Sequence, residues 1–366
     1  MPEATPAPRP PRSWLPSRKA ALLLVETVVV GAAGGLLFLW AHLPGGLISG
    51  AMIAVALVAS VMRRPLALPP ILAHAILMTL GLSLGSMVTP QMLHNIANYP
   101  VSIAVLALAT FGATFASSHY LQRVHGWDRA SALLAGSPGA LSQIIMLATE
   151  RNADVAGIAV VQTMRVIILT AALPLLLNLI GFSPPQAGLS LRAPPAAPLA
   201  LVTLAAASIV VSYLLHRLKF PASWMFGAML ASGVLHGAGL IEGGLPLWAY
   251  GVALTGIGIL IGSRFARIEG TTVLRHILAA LGSFAVAIAV SAVFVAVIAL
   301  VGGAHLSDII VAFAPGAMDA MLALALTLHI DPVFVGAHHL SRFIFVSIAT
   351  PGIVHWFGND DEELDD

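Results

Sequence analysis

The chain has 366 residues, 58% of them hydrophobic and 9% charged, with a mean hydropathy of +0.95 and a formal net charge of +1. A soluble domain carries roughly 25% charged residues, so this composition excludes a water-covered globule. The chain has no cysteine, which excludes structural disulfides and thiolate chemistry.

Residues 1–19 are rich in Pro and Arg and read as a disordered cytoplasmic N-terminus. The apolar run 20–41 is long for a signal peptide, holds Glu26 and has no small-residue cleavage site before Pro44, so it reads as an uncleaved first span. Further apolar segments follow at about 47–62, 70–88, 99–121, 130–149 and 155–181. Runs of ~20 apolar residues suffice to cross hydrocarbon as helix, and the alternation of a membrane barrel is missing. The fifth segment is interrupted by Ser137-Pro138-Gly139. Proline brings no N–H and restricts the residue before it. The backbone groups freed by such a break are tolerated only inside protein or beside a water-filled cavity.

After a Pro-rich linker at 182–196 the pattern starts again. Leu43-Pro44-Gly45-Gly46 through Met52 resembles Phe220-Pro221-Ala222-Ser223 through Met229, an offset of 221 − 44 = 177. The same offset relates Gly81, Gly85 and Ser86 to Gly258, Gly262 and Ser263, and Pro138-Gly139-Ala140 to Pro315-Gly316-Ala317. It also relates Asp154 to Asp331, Arg165 to Arg342 and Pro174 to Pro351. A constant offset over ~130 residues points to internal duplication. The repeats are 20–181 and 197–358, and an acidic tail, 359–366, follows.

Lys and Arg counts decide between two topologies. If all six segments of each half cross and the N-terminus is inside, nine basic residues lie inside and six outside. If the broken fifth segment enters and returns, each half crosses five times and the second half is inverted. Fourteen then lie inside and only Arg192 outside, with Arg165 and Arg342 within spans. Cytoplasmic loops carry the basic excess, which favours the second arrangement: an all-α polytopic protein of two inverted-topology repeats, about ten transmembrane helices plus two broken, re-entrant Pro-Gly segments. Inverted repeats with broken helices are the pattern of a secondary transporter whose site lies near the midplane.

Pro138-Gly139 and Pro315-Gly316 are each followed by an arginine 27 residues later. With Leu43-Pro44-Gly45-Gly46, Ser137 through Leu141, Ala314 through Met318 and His338-His339-Leu340-Ser341-Arg342, these motifs resemble the duplicated AbrB-type bacterial membrane proteins, over residues 20–358. The resemblance implies a multi-pass inner-membrane protein with a fold similar to sodium/proton antiporters and bile-acid symporters. Some members carry an ammonia monooxygenase or regulator label. The chain departs from the family pattern at Ala140 and Ala317, which replace a second Gly. It departs again at Gln143, which replaces a carboxylate; Ala320 matches it, with Asp319 alongside.

The candidate substrate-binding residues are Pro138, Gly139, Gln143, Gln162, Arg165, Pro315, Gly316, Asp319, His339 and Arg342. A guanidinium inside a span costs roughly 2.5–3.5 kcal/mol on insertion scales, so Arg165 and Arg342 need partners: an anionic substrate, the carbonyls freed by the breaks, or both. The breaks also create half-helix N-termini that favour anions. Asp319 either holds a coupling proton or cation, or pairs with Arg342. Gln143 and Gln162 either contact substrate or bond between helices. His338 and His339 point ~100° apart on a helix and so are poorly placed to chelate one ion.

The expected function is transport of a small, anionic solute, with a proton or sodium ion as the coupling ion, in contact with the lipid bilayer. No cofactor, metal or nucleic acid is expected, and a homodimer through a Gly/Ala-rich face is compatible with the sequence. The alternatives are a membrane-embedded regulatory or scaffold protein without transport and an enzyme. An oxygen-activating metal site would need several converging His or carboxylate ligands, and no such spacing is evident, so the expectation is a non-enzyme.

Overall fold

The computed structural model describes residues 18–43, 45–88, 99–138, 141–182, 195–268, 270–301 and 304–357, with the backbone alone for Ser142, Gln143 and Arg267. Among these residues the secondary structure is helical. The first half holds α1 (Arg18–Trp40), α2 (Gly46–Val61), α3 (Pro70–Gly85), α4 (Tyr99–His125), α5 (Arg129–Gly136), α6 (Leu141–Glu150) and α7 (Val155–Leu179). The second holds α8 (Pro198–Arg217), α9 (Ser223–Gly237), α10 (Leu247–Gly262), a 3-10 turn (Ser263–Arg267), α11 (Gly270–Val301), α12 (Leu306–Phe313), α13 (Met318–Leu328) and α14 (Pro332–Phe357).

Among the described residues seven helices are long and apolar enough to cross a membrane: α1, α4, α7, α8, α10 with the turn after it, α11 and α14. Helices α2, α3 and α13 are apolar but shorter. Large apolar side chains such as Leu22, Leu179, Leu199, Leu278 and Leu300 stand outward and exposed. The buried ones gather where α2, α3, α7, α10, α13 and α14 meet, around Ile48, Leu80, Leu169, Ile257, Met321 and Val335.

Local chemistry sets the helix limits. Pro70 and Pro198 occupy first-turn positions, where the missing N–H costs nothing. Asp128 accepts from the N–H of Ser131 at 2.7 Å and caps α5. Asp154 accepts from Gly157 at 2.9 Å and caps α7, and Asp331 accepts from Val333 at 2.8 Å at the start of α14. Pro174 and Pro351 sit inside α7 and α14.

The offset of 177 reappears in three dimensions. Helices α5 and α12 begin and end at matching positions, and so do α3 and α10. Left-handed backbone occurs at His42, Gly45 and Asn152 and again at Lys219, Ala222 and His329, each pair 177 apart.

The packing is reciprocal. A Cβ on Gly81 would strike the Met225 carbonyl, and one on Gly258 would strike the Ile48 carbonyl. Gly85 lies likewise against Met229 and Ser232, and Gly262 against Met52 and Val55. Thus α3 lies on α9 as α10 lies on α2, at backbone contact that only glycine permits.

Each broken pair of helices folds back on itself. The N–H of Asp154, after α6, donates to Oγ of Ser131 in the first turn of α5 at 2.8 Å. The ends of the α5–α6 pair therefore meet, and the Pro138 break forms its tip. Asp331 and Asp308 make the matching backbone contact in the second half.

These contacts predict that Gly81→Ala and Gly258→Ala each destabilise the protein by about 1–3 kcal/mol, the usual cost of overpacking. Gly352→Ala, whose Cβ meets nothing within 4 Å, leaves stability unchanged or slightly raised. Thermal unfolding of the detergent-purified variants measures the difference.

Candidate functional site

The two breaks converge on one cavity of about 370 Å³. Of the residues expected from sequence, Pro138, Gln162, Arg165, Pro315, Gly316, Asp319, His339 and Arg342 all line it. Gly139 lies outside the described residues. Gln143 lies in the first turn of α6, but its side chain is likewise outside the description.

The geometry grows from the unpaired carbonyls at the C-terminal ends of α5 and α12. A helix leaves its last carbonyls without intrahelical donors, and here those ends are buried. Long polar side chains from the following helices supply the donors. On α7, Gln162 Nε2 donates to Leu134 O at 3.0 Å and to Ser137 O at 2.7 Å. Arg165 Nη2 donates to Ala135 O at 3.1 Å and to Gly136 O at 3.3 Å. On α14, His339 Nε2 donates to Val311 O at 3.0 Å, Arg342 Nη2 to Ala312 O at 2.8 Å, and Arg342 Nη1 to Ala314 O. Gln162 and His339 match at the offset of 177, as do the two arginines and the carbonyls of Leu134 and Val311.

Arg165 and Arg342 are 2% and 3% exposed. Carbonyl satisfaction occupies both of them, yet not fully. Among the described residues Nε and Nη1 of Arg165 have no hydrogen-bond partner, and both atoms are fully buried. Thr163 also lines the cavity, and its buried hydroxyl has no partner among the described residues either. Among the described residues no carboxylate pairs with Arg165 or Arg342, and the two guanidiniums are close enough to repel one another.

Of the two readings of Asp319, a coupling-ion site or a partner of Arg342, the structure does not show the pairing with Arg342. Asp319 Oδ2 accepts instead from Arg264 Nη2 at 3.3 Å, and both side chains are partly exposed on the cavity. The physical reason is position: Asp319 is in the first turn of α13, while the guanidinium of Arg342 is committed to the end of α12. His338 and His339 diverge, as their helical spacing requires: His338 reaches Ser102 at 2.8 Å while His339 serves the Val311 carbonyl. Glu26 faces Arg64 at 3.5 Å, away from the cavity.

Sequence reasoning missed Arg264 and Thr163. The signal for Arg264 lies in the repeat itself. Position 264 matches Met87 and position 319 matches Ser142. The second half thus acquires one cation and one anion where the first is neutral, and such a paired departure from symmetry marks a contact.

Removing a carbonyl-satisfying arginine should cost far more than removing the partly exposed pair. Arg342→Met strands the Ala312 carbonyl, at about 1–3 kcal/mol for a buried unpaired group, and leaves Ala314 O with the Gly316 N–H alone. Arg264→Gln gives up a half-exposed ion pair of about 0–1 kcal/mol. Differential scanning of the purified variants should show a large fall in Tm for the first and little change for the second.

The chain matches the family model described as "Transition state regulatory protein AbrB" over residues 47–358. It is 27% identical over 291 residues to "Uncharacterized protein YhjN" of Bacillus subtilis (strain 168), covering 75% of each chain. It is 25% identical over 321 residues to "Putative regulator AbrB" of Escherichia coli (strain K12), covering 87% of this chain and 92% of that one. With the family model spanning most of its length and helices of membrane length and apolarity, the chain belongs to the AbrB family of helical membrane-type proteins.

Proposed function

We propose that the chain is a secondary transporter of a small anionic solute, embedded in the bacterial inner membrane as two inverted halves of five crossings and one re-entrant hairpin each. The observation that carries this reading is the matched pair of helix breaks, each held by a buried arginine, on one shared cavity. No catalytic step forms part of the reading.

Depth supports it. Arg165 lies eleven residues beyond the α7 cap, Asp154, and Arg342 eleven beyond Asp331. At 1.5 Å per residue this is about 16 Å, half of a hydrocarbon core about 30 Å thick. Helices of 8 and 10 residues, as in α5 and α6, reach about 12 and 15 Å, far enough to bring the Pro138 break to the same depth. With their ends joined at Ser131 and Asp154, they enter and return on one side. That accounts for a parity placing fourteen basic residues inside and one outside. Irregular backbone at mid-depth, lining a cavity between two inverted halves, is the architecture of alternating access.

A regulatory scaffold, the role suggested by the names of the family and of the Escherichia coli relative, needs no cavity open to both faces. One labelling experiment separates the two, because the native chain is free of cysteine. In sealed right-side-out and inside-out vesicles, Arg123→Cys and Lys219→Cys should react with an impermeant maleimide only from the cytoplasm. Glu242→Cys should react only from outside; all three positions are exposed. Met318→Cys, on the cavity wall, should react from both sides as the cavity opens to each in turn. Reaction of Lys219→Cys from outside contradicts the inverted arrangement. Reaction of Met318→Cys from one side alone, with the controls correct, contradicts transport.

A further inference from the structure

The charge on the cavity wall specifies more than its sign. We infer that the cavity takes a small organic dianion, two acidic groups joined by a short hydrocarbon spacer, an inference that rests on reading this cavity as the anion site. Among the described residues, the formally charged ones on the wall are Arg165, Arg264, Asp319 and Arg342. Arg264 and Asp319 form an ion pair at 3.3 Å and cancel. Arg165 and Arg342 remain, and their hydrogen bonds go to neutral backbone carbonyls. The helix dipoles at the breaks do not change this sum: the negative C-terminal ends of α5 and α12 face the positive N-terminal ends of α6 and α13. The wall therefore carries two uncompensated positive charges.

Two buried like charges repel one another in a medium that screens poorly, and each has already given up hydration. A monoanion leaves one of them unmatched; a dianion closes the balance. Among the described residues, the N–H groups at Nε and Nη1 of Arg165 and the Thr163 hydroxyl are the donors of this wall that have no partner. In this conformation they are fully buried, so the acid group comes to them with a local rearrangement, as expected of a site that opens and closes. The rest of the wall decides between an inorganic and an organic dianion. Leu77, Val166, Ala222, Met318 and Phe343 line the cavity, and this apolar surface suits a hydrocarbon spacer between the acid groups. A volume of about 370 Å³ lies at the small end of the roughly 300–1,000 Å³ usual for ligand pockets, which suits a compact metabolite-sized dicarboxylate.

The test uses the purified full chain and three probes of equal length: succinate, butyrate and succinamide. Affinity is read from ligand-induced shifts in thermal unfolding, at constant ionic strength. The parent protein should bind succinate at least tenfold more tightly than butyrate and should not respond to succinamide. Arg264→Gln lowers the wall charge from +2 to +1 and should bring the succinate-to-butyrate ratio down at least tenfold. The double variant Arg264→Gln with Asp319→Asn restores +2 and should recover the ratio. Asp319→Asn alone, at +3, should keep or widen it. Equal affinity for butyrate and succinate in the parent overturns the dianion while leaving the anion site in place. A double variant that does not recover the ratio, although folded, also overturns it. Failure of both anions to shift the parent overturns the dianion and the anion site together.

Discussion

Everything around the cavity depends on one constraint: a buried helix end must find donors for its last carbonyls. Where Pro138 and Pro315 end α5 and α12 in the interior, water cannot do this. Two side chains from α7 and two from α14 do it instead, Gln162 with Arg165 and His339 with Arg342. The arginines are therefore structural first. Their charge cannot be discarded with their hydrogen bonds, so the repair of the backbone leaves positive potential at the centre of the molecule. The functional reading grows out of that residue of charge.

Much of this was legible in the sequence because it is periodic or covalently local. The segment boundaries follow from apolar length, and the breaks from Pro-Gly. The spacing of 27 residues from each Pro to its Arg sets the arginine against the carbonyls of the helix that ends at the break. The 177-residue offset, read from tripeptides, returns in helix limits, in left-handed residues and in the reciprocal contacts of Gly81 and Gly258. Ten of the residues singled out for the site included eight that line one cavity.

The rest was illegible for physical reasons. Arg264 sits at the end of an apolar helix, where a basic residue is the ordinary mark of a membrane boundary; only the approach of α13 turns it into a cavity wall. A pairing of Asp319 with Arg342 was one of two readings open from the sequence, but the carbonyls of Ala312 and Ala314 hold that guanidinium. Thr163 is one more hydroxyl among many in the helices, and its role comes from facing the cavity. The ion pair of Arg264 and Asp319 also breaks the equivalence of the halves, since Met87 and Ser142 stand in the matching places. A symmetric cavity would bind an anion equally toward either half; this one sets a paired, partly exposed charge beside the second break alone.

The central claim is that the cavity carries uncompensated positive charge that draws in an anion. Anomalous diffraction at the bromine edge, from crystals of the full-length protein grown in sodium bromide, tests it without knowledge of the physiological solute. The account predicts a bromide inside the cavity, on the wall formed by Arg165, Arg342 and Met318, together with the usual surface sites. Bromide found on the surface but missing from the cavity, with both arginines still on their carbonyls, would contradict it.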